Sequence, residues 1–561
     1  MAEKKSKSLV HLLQNPLEIK NDVPIYYTGI KRFSNGQSLN VNDIDTNTLN
    51  EINEFVVNLD AFFGSKLFTL TSALSANRYL SPLYDNFLKG WCVLKILREH
   101  PEIYLLVDNY NEQCLWEDFF LANNVQVISK SKSVLFSRIK SFMREIVCVL
   151  KEYFWVSCTQ KKKQPFSKII FMEWINEKNK SFEQIINHSA YFGKFLKDMH
   201  QKKPVSILGN ILNGHQDFKE IIKSDCNFIK EQTSLGDIAW SFLKSFKLLA
   251  SIKEKIIFQN CDFTPIVTQA LKKDFWDASY LKHLLFYKAF KKICLNASNH
   301  VTIIYPFENQ PWEKALIMAT SEKANKIKLF AYQFFPIPEN FLIHCFSKKA
   351  KNCAMFPNKI LTSDMHSNHL LQKQGISTLK LGSMRYSHLL NYQKDSAIRK
   401  KILCSLFLDE IEIISMVKKM VKISKHVEYD FIINYHPSLS ADIIGKIKNV
   451  AKDSKNITLS DMKVVDLLDD VFLLIYNSSS VFLEAALRGI AVLYLPCDEI
   501  VNLDRFQGCG GVIESEEETI SFIQKLRVDK NFYEAYASEV YKKSNQMIIP
   551  YHKQVIERLD L

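Results

Sequence analysis

Two polar clusters in the last third of the chain contain residue types that bind anions, and each follows an apolar run. The clusters are His436-Pro437-Ser438 and Asn477-Ser478-Ser479-Ser480. An imidazole and hydroxyl groups can donate hydrogen bonds to phosphate oxygens, and Pro437 restricts the backbone beside the histidine. The two clusters therefore predict a site for a phosphate-bearing ligand. The alternative for the serines is that they only cap the following helix, where serine is common.

The elements around these clusters have the order of a parallel α/β sheet. The apolar runs 431–435 and 471–476 are predicted strands, residues 481–488 form a predicted helix that stops at Gly489, and residues 491–495 are a third strand. The order strand, polar loop, helix, glycine, strand is typical of a βαβ unit. In such sheets ligands bind beyond the carboxyl ends of the strands. Both clusters are therefore expected at the ligand-binding edge of one sheet.

Predicted strands earlier in the chain also end in polar residues. Glu308 follows the strand 300–305, and Asp364 follows the strand 359–361. A carboxylate at a strand end is a candidate for acid/base catalysis, and Glu308 is preferred over Asp364. Other strand-end residues are expected to contact ligands. We expect Gly382 and Ser383 to contact the nucleotide, and we expect the substrate to be bound by Arg78, Asn309 and Arg385. Arg385 could pair with a phosphate or carboxylate, or it could form an ordinary surface salt bridge.

The length of the chain is sufficient for two large α/β domains. Its 561 residues alternate predicted strands and helices from about residue 66 onward. We predict an α/β protein with two Rossmann-like domains and a cleft between them, in which the C-terminal helices could cross back to the first domain. The predicted divisions are an N-terminal extension (1–60), a first domain with helical insertions (61–355), a second domain that holds the nucleotide (356–545) and a C-terminal helix (546–561).

The composition is that of a globular protein with excess positive charge. Apolar residues make up 47% of the chain and charged residues 24%, and 73 Lys+Arg against 60 Asp+Glu give a net charge of +13. The basic residues are dispersed, which indicates general attraction to anions and no concentrated nucleic-acid face. The 12 cysteines include no C-x-x-C pair. That pattern fits reduced thiols in the cytoplasm.

A predicted amphipathic helix at about 133–155 is the candidate for contact with a membrane. Its apolar residues recur every three or four positions, at Leu135, Ile139, Phe142, Ile146, Val149 and Tyr153, and lysines flank it at positions 130, 132 and 161–163. Such a helix could lie on the anionic inner surface of the cytoplasmic membrane or pack on the domain's own sheet. No apolar run approaches the ~20 residues that span a bilayer. The expected location is the cytoplasm, with peripheral attachment to the membrane left open.

A carboxylate pair near the N-terminus has a spacing that can bind a divalent cation. Asp43-Ile44-Asp45 matches the pattern D-x-D. No strand precedes it, and the surrounding sequence is rich in the residues of turns. We therefore predict no metal site and no cofactor.

Taken together, these features resemble the GT-B glycosyltransferase fold, and in particular the bacterial sialyl-, polysialyl- and Kdo-transferases, which use CMP-activated sugars. His436-Pro437 and the serines 478–480 look like the paired motifs of those enzymes. The strings Tyr-Pro-Phe-Glu-Asn-Gln-Pro-Trp-Glu-Lys-Ala-Leu (305–316) and Gly-Ser-Met-Arg-Tyr (382–386) are similar to a family of bacterial surface-carbohydrate biosynthesis proteins thought to be Kdo-transferase-like. The resemblance runs over most of the chain from about Lys66.

The resemblance implies a metal-independent enzyme that moves an acidic sugar from CMP to a surface glycan or lipid-linked acceptor, as in lipopolysaccharide or capsule synthesis. By position, it implies that His436 and Ser478 to Ser480 hold the CMP phosphate. It also implies that Glu484 lies near the ribose and that Glu308 faces the acceptor or the anomeric carbon. The family often has Gln-His where this chain has Gln333-Phe334, so that histidine has no counterpart here.

The sequence leaves two other functions open. The first is an enzyme of the same fold that uses a UDP-sugar, either a transferase or a 2-epimerase that needs no acceptor. The second is a basic protein without enzymatic activity that binds nucleic acid or another anionic polymer. The second reading ranks last because it requires a concentrated basic face with exposed aromatic residues.

Overall fold

The computed structural model describes the chain in a series of ranges. These are residues 9–13, 25–27, 37–38, 44–63, 67, 70–72, 81, 83–107, 110–128, 135–158, 165–175, 181–211, 226–250, 254–296, 300–321, 326–353, 355–390, 401–406, 410–436, 439–477, 479–497, 504, 513 and 515–559. Within them the strands form three parallel sheets and a short antiparallel hairpin. No helix in these ranges is long and apolar enough to cross a membrane. The predicted site residues Arg78, Pro437 and Ser478 lie outside the described residues.

The first sheet is formed by short strands from the N-terminal part of the chain. Its described strands are β1 (Leu9–Leu13), β2 (Ile25–Tyr27), β3 (Gln37–Ser38), β4 (Glu102–Leu106) and β5 (Gln126–Ile128), in the order β3-β2-β4-β1-β5. The helices here are Thr46–Val57, Leu83–Glu99, Tyr110–Ala122 and Leu135–Cys158, with a 3-10 turn at Leu59–Phe62. Residues 1–60 thus supply three strands of a sheet, which corrects the predicted N-terminal extension. Strands this short give too little alternation to be recognised in a polar sequence.

The second sheet and its helices form the first of two doubly wound α/β units in the chain, and we call it the first unit. Its described strands are β6 (Ile169–Ile175), β7 (Val205–Ile211), β8 (Asn227–Phe228), β11 (Val301–Pro306), β12 (Ile327–Gln333), β13 (Lys359–Thr362) and β14 (Thr378–Lys380), while β9 (Ile257–Phe258) and β10 (Cys261–Asp262) form the separate hairpin. The order is β14-β13-β12-β11-β6-β7-β8. The chain winds outward from β6 to β8, then returns to β11 and winds in the other direction. The switch point between β6 and β11 is where such sheets bind ligands.

Apolar clusters cover both faces of this sheet, and the part of the chain that forms it also contains several helices. They are Phe182–His188, Gly193–Lys202, Leu235–Ser245, Thr264–Trp276, Ser279–Asn296, Pro311–Ser321, Lys348–Asn352 and Met365–Lys373, with 3-10 turns at Ile229–Gln232, Phe246–Ala250, Glu339–Phe341 and Ser387–Leu389. Because β13 and β14 pair in this sheet, the predicted start of the second domain at residue 356 is too early. An apolar strand in the sequence does not reveal which sheet it joins, and the next sheet begins only at Lys401.

The third sheet and its helices form the second doubly wound α/β unit, which we call the second unit. Its described strands are β15 (Lys401–Ser405), β16 (Asp430–Asn434), β17 (Ile457–Ser460), β18 (Val471–Tyr476) and β19 (Ala491–Tyr494), in the order β17-β16-β15-β18-β19. Its helices are Glu410–Ser424, Ala441–Ala451, Val464–Leu467, Phe482–Leu487, Glu516–Val528 and Lys530–Met547, with a 3-10 turn at Leu468–Asp470. All six residues of β18 are buried, because apolar clusters pack on both faces of the sheet. The switch point here lies between β15 and β18.

The C-terminus of the chain crosses back from the third sheet to the second. Ile548 forms an isolated antiparallel bridge with Asp364. The Ile549 amide donates to the Ser363 carbonyl at 3.0 Å, and the Ser383 amide donates to the Ile549 carbonyl at 2.8 Å. The final 3-10 segment, Lys553–Leu559, then buries its apolar residues against one face of the second sheet. Two doubly wound units joined in this way form the predicted GT-B architecture, and the predicted return of the C-terminal segment is confirmed.

Gly382 is the point of closest approach between the returning segment and the second sheet. Its φ is +107°, and a Cβ at this position would lie 2.5 Å from the Cα of Tyr551. The Tyr332 hydroxyl donates to the Gly382 carbonyl at 3.1 Å. Glycine is therefore required here for both conformation and packing. The expected nucleotide contact at Gly382 is replaced by contact with the chain's own C-terminal segment.

We expect Gly382→Ala to destabilise the protein more than Gly375→Ala. Both glycines have a positive φ, +107° and +77°, but a Cβ at Gly375 would meet nothing within 4 Å. Backbone strain of about 1–2 kcal/mol is common to both variants. Only Gly382→Ala also displaces the C-terminal segment, so its free energy of unfolding should fall by about 2 kcal/mol more. Urea unfolding measures both losses, and equal losses would contradict the close packing at Gly382.

Candidate active site

The carboxyl ends of the strands in the two doubly wound units face each other, and Arg385 connects them. Arg385 follows β14 of the first unit. Its Nε donates to Oε1 of Glu484 at 2.8 Å, and its Nη1 donates to Oγ of Ser480 at 3.2 Å. The Tyr386 hydroxyl also donates to the Ser480 carbonyl, at 3.2 Å. Because Ser480 and Glu484 follow β18, these contacts bring the ligand-binding edges of both sheets to one interface.

Serine hydroxyls line the switch point of the second unit. Oγ of Ser405, the last residue of β15, donates to Oγ of Ser479, which follows β18, at 3.1 Å. The Val481 amide donates to Oγ of Ser479 at 3.4 Å in the turn before the helix Phe482–Leu487. The N-cap of that helix is Val481, and it has no side-chain cap, so the capping role that the sequence left open does not account for Ser479. Ser405 was missed at the sequence level, because one serine at the end of an apolar strand carries no distinctive signal. Ser405, Ser479 and Ser480 together offer hydroxyl groups to a ligand at this edge.

His436 lies at the same edge, beyond the end of β16. The strand β15 separates β16 from β18, so the histidine and the serines are about 10 Å apart in backbone position, which is two strand spacings. The side chain is exposed, while protein atoms beside it lower the pKa of the imidazole by partial burial. A pKa below the ordinary ~6.5 leaves the ring neutral at pH 7, with one N–H to donate. The spacing suits a ligand that reaches across β15.

Glu308 lies at the switch point of the first unit, two residues beyond the end of β11. The side chain is partly buried, and this burial raises the pKa of its carboxyl to about 7. The Gln310 side-chain amide donates to its Oε2. A carboxyl group with a pKa near 7 exchanges its proton at neutral pH, as a general acid or base requires.

The loop that carries Glu308 is held in place by two neighbouring side chains. Glu313 is buried, and its Oε1 accepts from the amides of Glu308 at 2.9 Å and Gln310 at 2.8 Å. Asn309 has a φ of +54°. Its Nδ2 donates to the carbonyls of Ile343 at 2.9 Å and Cys345 at 3.0 Å. Asn309, which we expected to bind substrate, is instead buried as part of this support.

A second carboxyl group at this switch point was not among the site residues predicted from the sequence. Glu173 near the end of β6 is almost fully buried, and this burial raises its pKa to about 8. The Ser189 hydroxyl donates to its Oε2 at 2.6 Å. Burial and the nearby charges of Glu308 and Glu173 raise the pKa of Tyr191, so both carboxyl groups lie close to this tyrosine. The signal available in the sequence was a single glutamate inside the apolar strand 169–175.

The predicted residues Asp364 and Ser383 support the fold. Asp364 is fully buried, and burial raises its pKa. Its two oxygens accept from the Ser367 amide at 2.7 Å and from Nε2 of Gln333 at 2.8 Å. Oγ of buried Ser383 accepts from the Tyr386 amide at 3.0 Å. Both side chains are therefore accounted for by internal contacts at the site where the C-terminal segment returns.

Asp45, one of the two carboxylates of the D-x-D pattern, caps a helix. Oδ1 of Asp45 accepts from the Thr48 amide at 3.0 Å and caps the helix Thr46–Val57, while Asp43 lies outside the described residues. In the part of the chain that the structure describes, no group of three or more His, Cys, Asp or Glu residues could hold a metal ion.

No protein-family model matches the chain, and no curated protein matches it. Among solved structures, UDP-GlcNAc 2-epimerase from Neisseria meningitidis has a TM-score of 0.41 at 12% identity, over 70% of this chain and 99% of that chain. A glycosyltransferase from Rickettsia africae scores 0.40 at 12% identity, over 71% and 98%. MurG from Acinetobacter baumannii scores 0.38 at 9% identity, over 70% and 99%.

We expect the raised pKa of Glu308 to appear in the stability of the protein. The folded-state pKa is about 7 and the ordinary value is 4.5, so the folded state binds more protons between these pH values and stability falls as pH rises. Relative to Glu308→Gln, the wild type should lose about 2 kcal/mol of unfolding free energy from about pH 5 to about pH 8. Urea unfolding across this range measures the difference. Glu517 is exposed, and Glu517→Gln is the control. If the pH-dependent loss of the wild type relative to Glu308→Gln is no larger than its loss relative to Glu517→Gln, the raised pKa of Glu308 is contradicted.

Proposed function

We propose that this protein is a glycosyltransferase that uses a nucleotide sugar, with the donor bound to the second unit and the acceptor to the first. The observation that carries the proposal is the contact of Arg385 with Ser480 and Glu484, because it unites the ligand-binding edges of both sheets. One edge offers hydroxyl and imidazole donors, and the other offers a carboxyl group with a pKa of about 7. A transfer between two bound substrates needs both kinds of group.

The proposed chemistry is a displacement at the anomeric carbon of the donor sugar. Glu308 takes the proton of the acceptor hydroxyl. The oxygen of that hydroxyl forms a bond to the anomeric carbon, and the bond from the anomeric carbon to the nucleotide phosphate breaks. The phosphate leaves with the bonding electron pair. Donors from His436, Ser479 and Ser480 stabilise the negative charge that develops on it. Glu484 accepts a hydrogen bond from a ribose hydroxyl, the role that the resemblance implies for it.

For the donor we propose a CMP-linked acidic sugar such as Kdo or a nonulosonic acid. The support is the resemblance carried by His436 and the serine cluster, together with Arg385. The Arg385 side chain is 40% exposed, and its guanidinium could bind the sugar carboxylate. The acceptor would be a surface glycan or a lipid-linked oligosaccharide in the cytoplasm. A UDP-sugar 2-epimerase is the second candidate, because Glu308 and Glu173 could also move a proton at a sugar carbon.

We expect His436→Ala and Glu308→Gln to separate binding from turnover. Loss of the imidazole should weaken nucleotide binding about tenfold or more. Loss of the carboxyl should reduce turnover by about 10²–10⁴-fold and leave nucleotide binding intact. Thermal shift with CMP, UDP, GDP and their sugars measures binding, since ligand at 100 times its dissociation constant adds ~2.7 kcal/mol.

The exposed histidine His426 provides the matched control, and His426→Ala should behave as the wild type in both assays. Stabilisation by UDP but not CMP would overturn the donor assignment. Conversion of a UDP-sugar without any acceptor would replace the transferase by the epimerase. Wild-type transfer in Glu308→Gln would remove the proposed base.

We expect transfer to continue in the presence of EDTA, because the proposed stabilisation of the leaving phosphate comes from protein donors. The measurement is the rate of nucleotide release with and without the chelator. A loss of activity that magnesium restores would show that a divalent cation takes part.

A further inference from the structure

The helix Leu135–Cys158 carries an apolar arc of which only one side is packed against the protein. On the packed side, Phe142 is buried and stacks on Phe275 at 4.8 Å, and Val149 is also buried. On the other side, Ile139, Met143, Val147 and Phe154 are exposed, Met143 at 53% and Phe154 at 57%. At 100° per residue these four positions span about 80° of the helix. The two interpretations that the sequence left open thus correspond to two sides of one helix.

A neighbouring element extends this exposed apolar surface. Leu243, Phe246 and Leu249 are exposed, Leu243 at 69%. Phe246 lies 5.3 Å from Phe275, the ring on which Phe142 also packs. Both elements therefore pack on Phe275, the helix through its buried Phe142 and the neighbouring element through its exposed Phe246. We call the two exposed sets together the apolar surface, and exposed apolar patches of this kind mark binding sites.

Positively charged residues lie along the exposed margin of the apolar surface. Lys140, Arg144 and Lys151 are exposed and occupy the next ~60° of the helix beyond the exposed apolar positions. Lys247 is exposed within the neighbouring element. The exposed margin of the surface is therefore cationic.

The acidic residues of the helix lie on the side that faces the protein. Glu145 pairs with Lys282 at 2.7 Å and lies 3.6 Å from Arg144, and Glu152 pairs with Lys230 at 2.5 Å. Their charges are thus balanced largely by lysines of the protein body. The cationic margin is left to interact with an anionic partner.

We propose that the apolar surface docks on an anionic lipid bilayer, with the helix lying in the plane of the membrane interface. The apolar side chains would enter the headgroup boundary, while Lys140, Arg144 and Lys151 contact anionic headgroups. A second copy of this chain fits less well. A two-fold contact would place the same patch, and therefore the same cations, against each other. This inference does not depend on the proposed function.

The test is flotation of the full chain with phosphatidylcholine vesicles that contain phosphatidylglycerol, compared with pure phosphatidylcholine vesicles. We expect binding to the anionic vesicles that weakens with salt. Lys140→Gln/Lys151→Gln should lower the partition coefficient about fivefold for each lysine removed. Met143→Ser/Val147→Ser should lower it roughly tenfold or more. Thermal unfolding verifies that each variant is folded.

Matched controls come from the second α/β unit. Lys452→Gln/Lys455→Gln removes two exposed lysines, and Met462→Ser/Val528→Ser removes two exposed apolar side chains. Both should float as the wild type does. The proposal is overturned if the wild type does not bind anionic vesicles, if it binds neutral ones equally, or if the surface variants keep full binding. Light scattering that shows a dimer lost in Met143→Ser/Val147→Ser would assign the surface to self-association instead.

Discussion

The close contact between the returning C-terminal segment and Gly382 is the constraint on which the arrangement of the two α/β units depends. The backbone of Tyr551 occupies the space that a side chain at Gly382 would need, and Ile549 bonds to Ser363 and Ser383 on either side. The chain leaves the third sheet and is fixed at the strand ends of the second. Arg385 lies only three residues beyond Gly382, so the same contact also positions the guanidinium that reaches the other unit.

The two switch points joined in this way have different electrostatic properties. In the first unit, burial raises the pKa of Glu308 to about 7 and that of Glu173 to about 8, which favours proton exchange at neutral pH. In the second unit the groups are uncharged donors: the hydroxyls of Ser405 and Ser479, and an imidazole that a lowered pKa keeps neutral. In the proposed reaction, proton transfer and stabilisation of an anion would therefore take place on opposite sides of one interface.

The sequence predicted best the strands that precede the candidate site residues. The strands before His436 and Ser479 are correct, and Glu308 lies two residues beyond the end of a strand. The predictions for Gly382 and Ser383 differ from the structure because the segment that covers them is more than 160 residues away in the chain. Local patterns carry no information about such a contact.

The residues that the sequence reading missed were single polar residues in apolar strands. Glu173 and Ser405 became visible only when the strand order placed each one at a switch point. The domain division failed for a related reason, because hydrogen bonding between strands decides which sheet a strand joins. A run of apolar residues predicts a buried strand without naming its neighbours.

The ion pair between Arg385 and Glu484 links ligand chemistry to the contact between the units. The Glu484 side chain is only 10% exposed, whereas that of Arg385 is 40% exposed. An anion that drew Arg385 away would leave a buried carboxylate without its cation, at a cost of about 3–5 kcal/mol. A ligand that also brings hydroxyl donors to Glu484 would offset this cost. The proposed donor carries a carboxylate for Arg385 together with ribose hydroxyls for Glu484, so it would meet both requirements where a simple anion meets one.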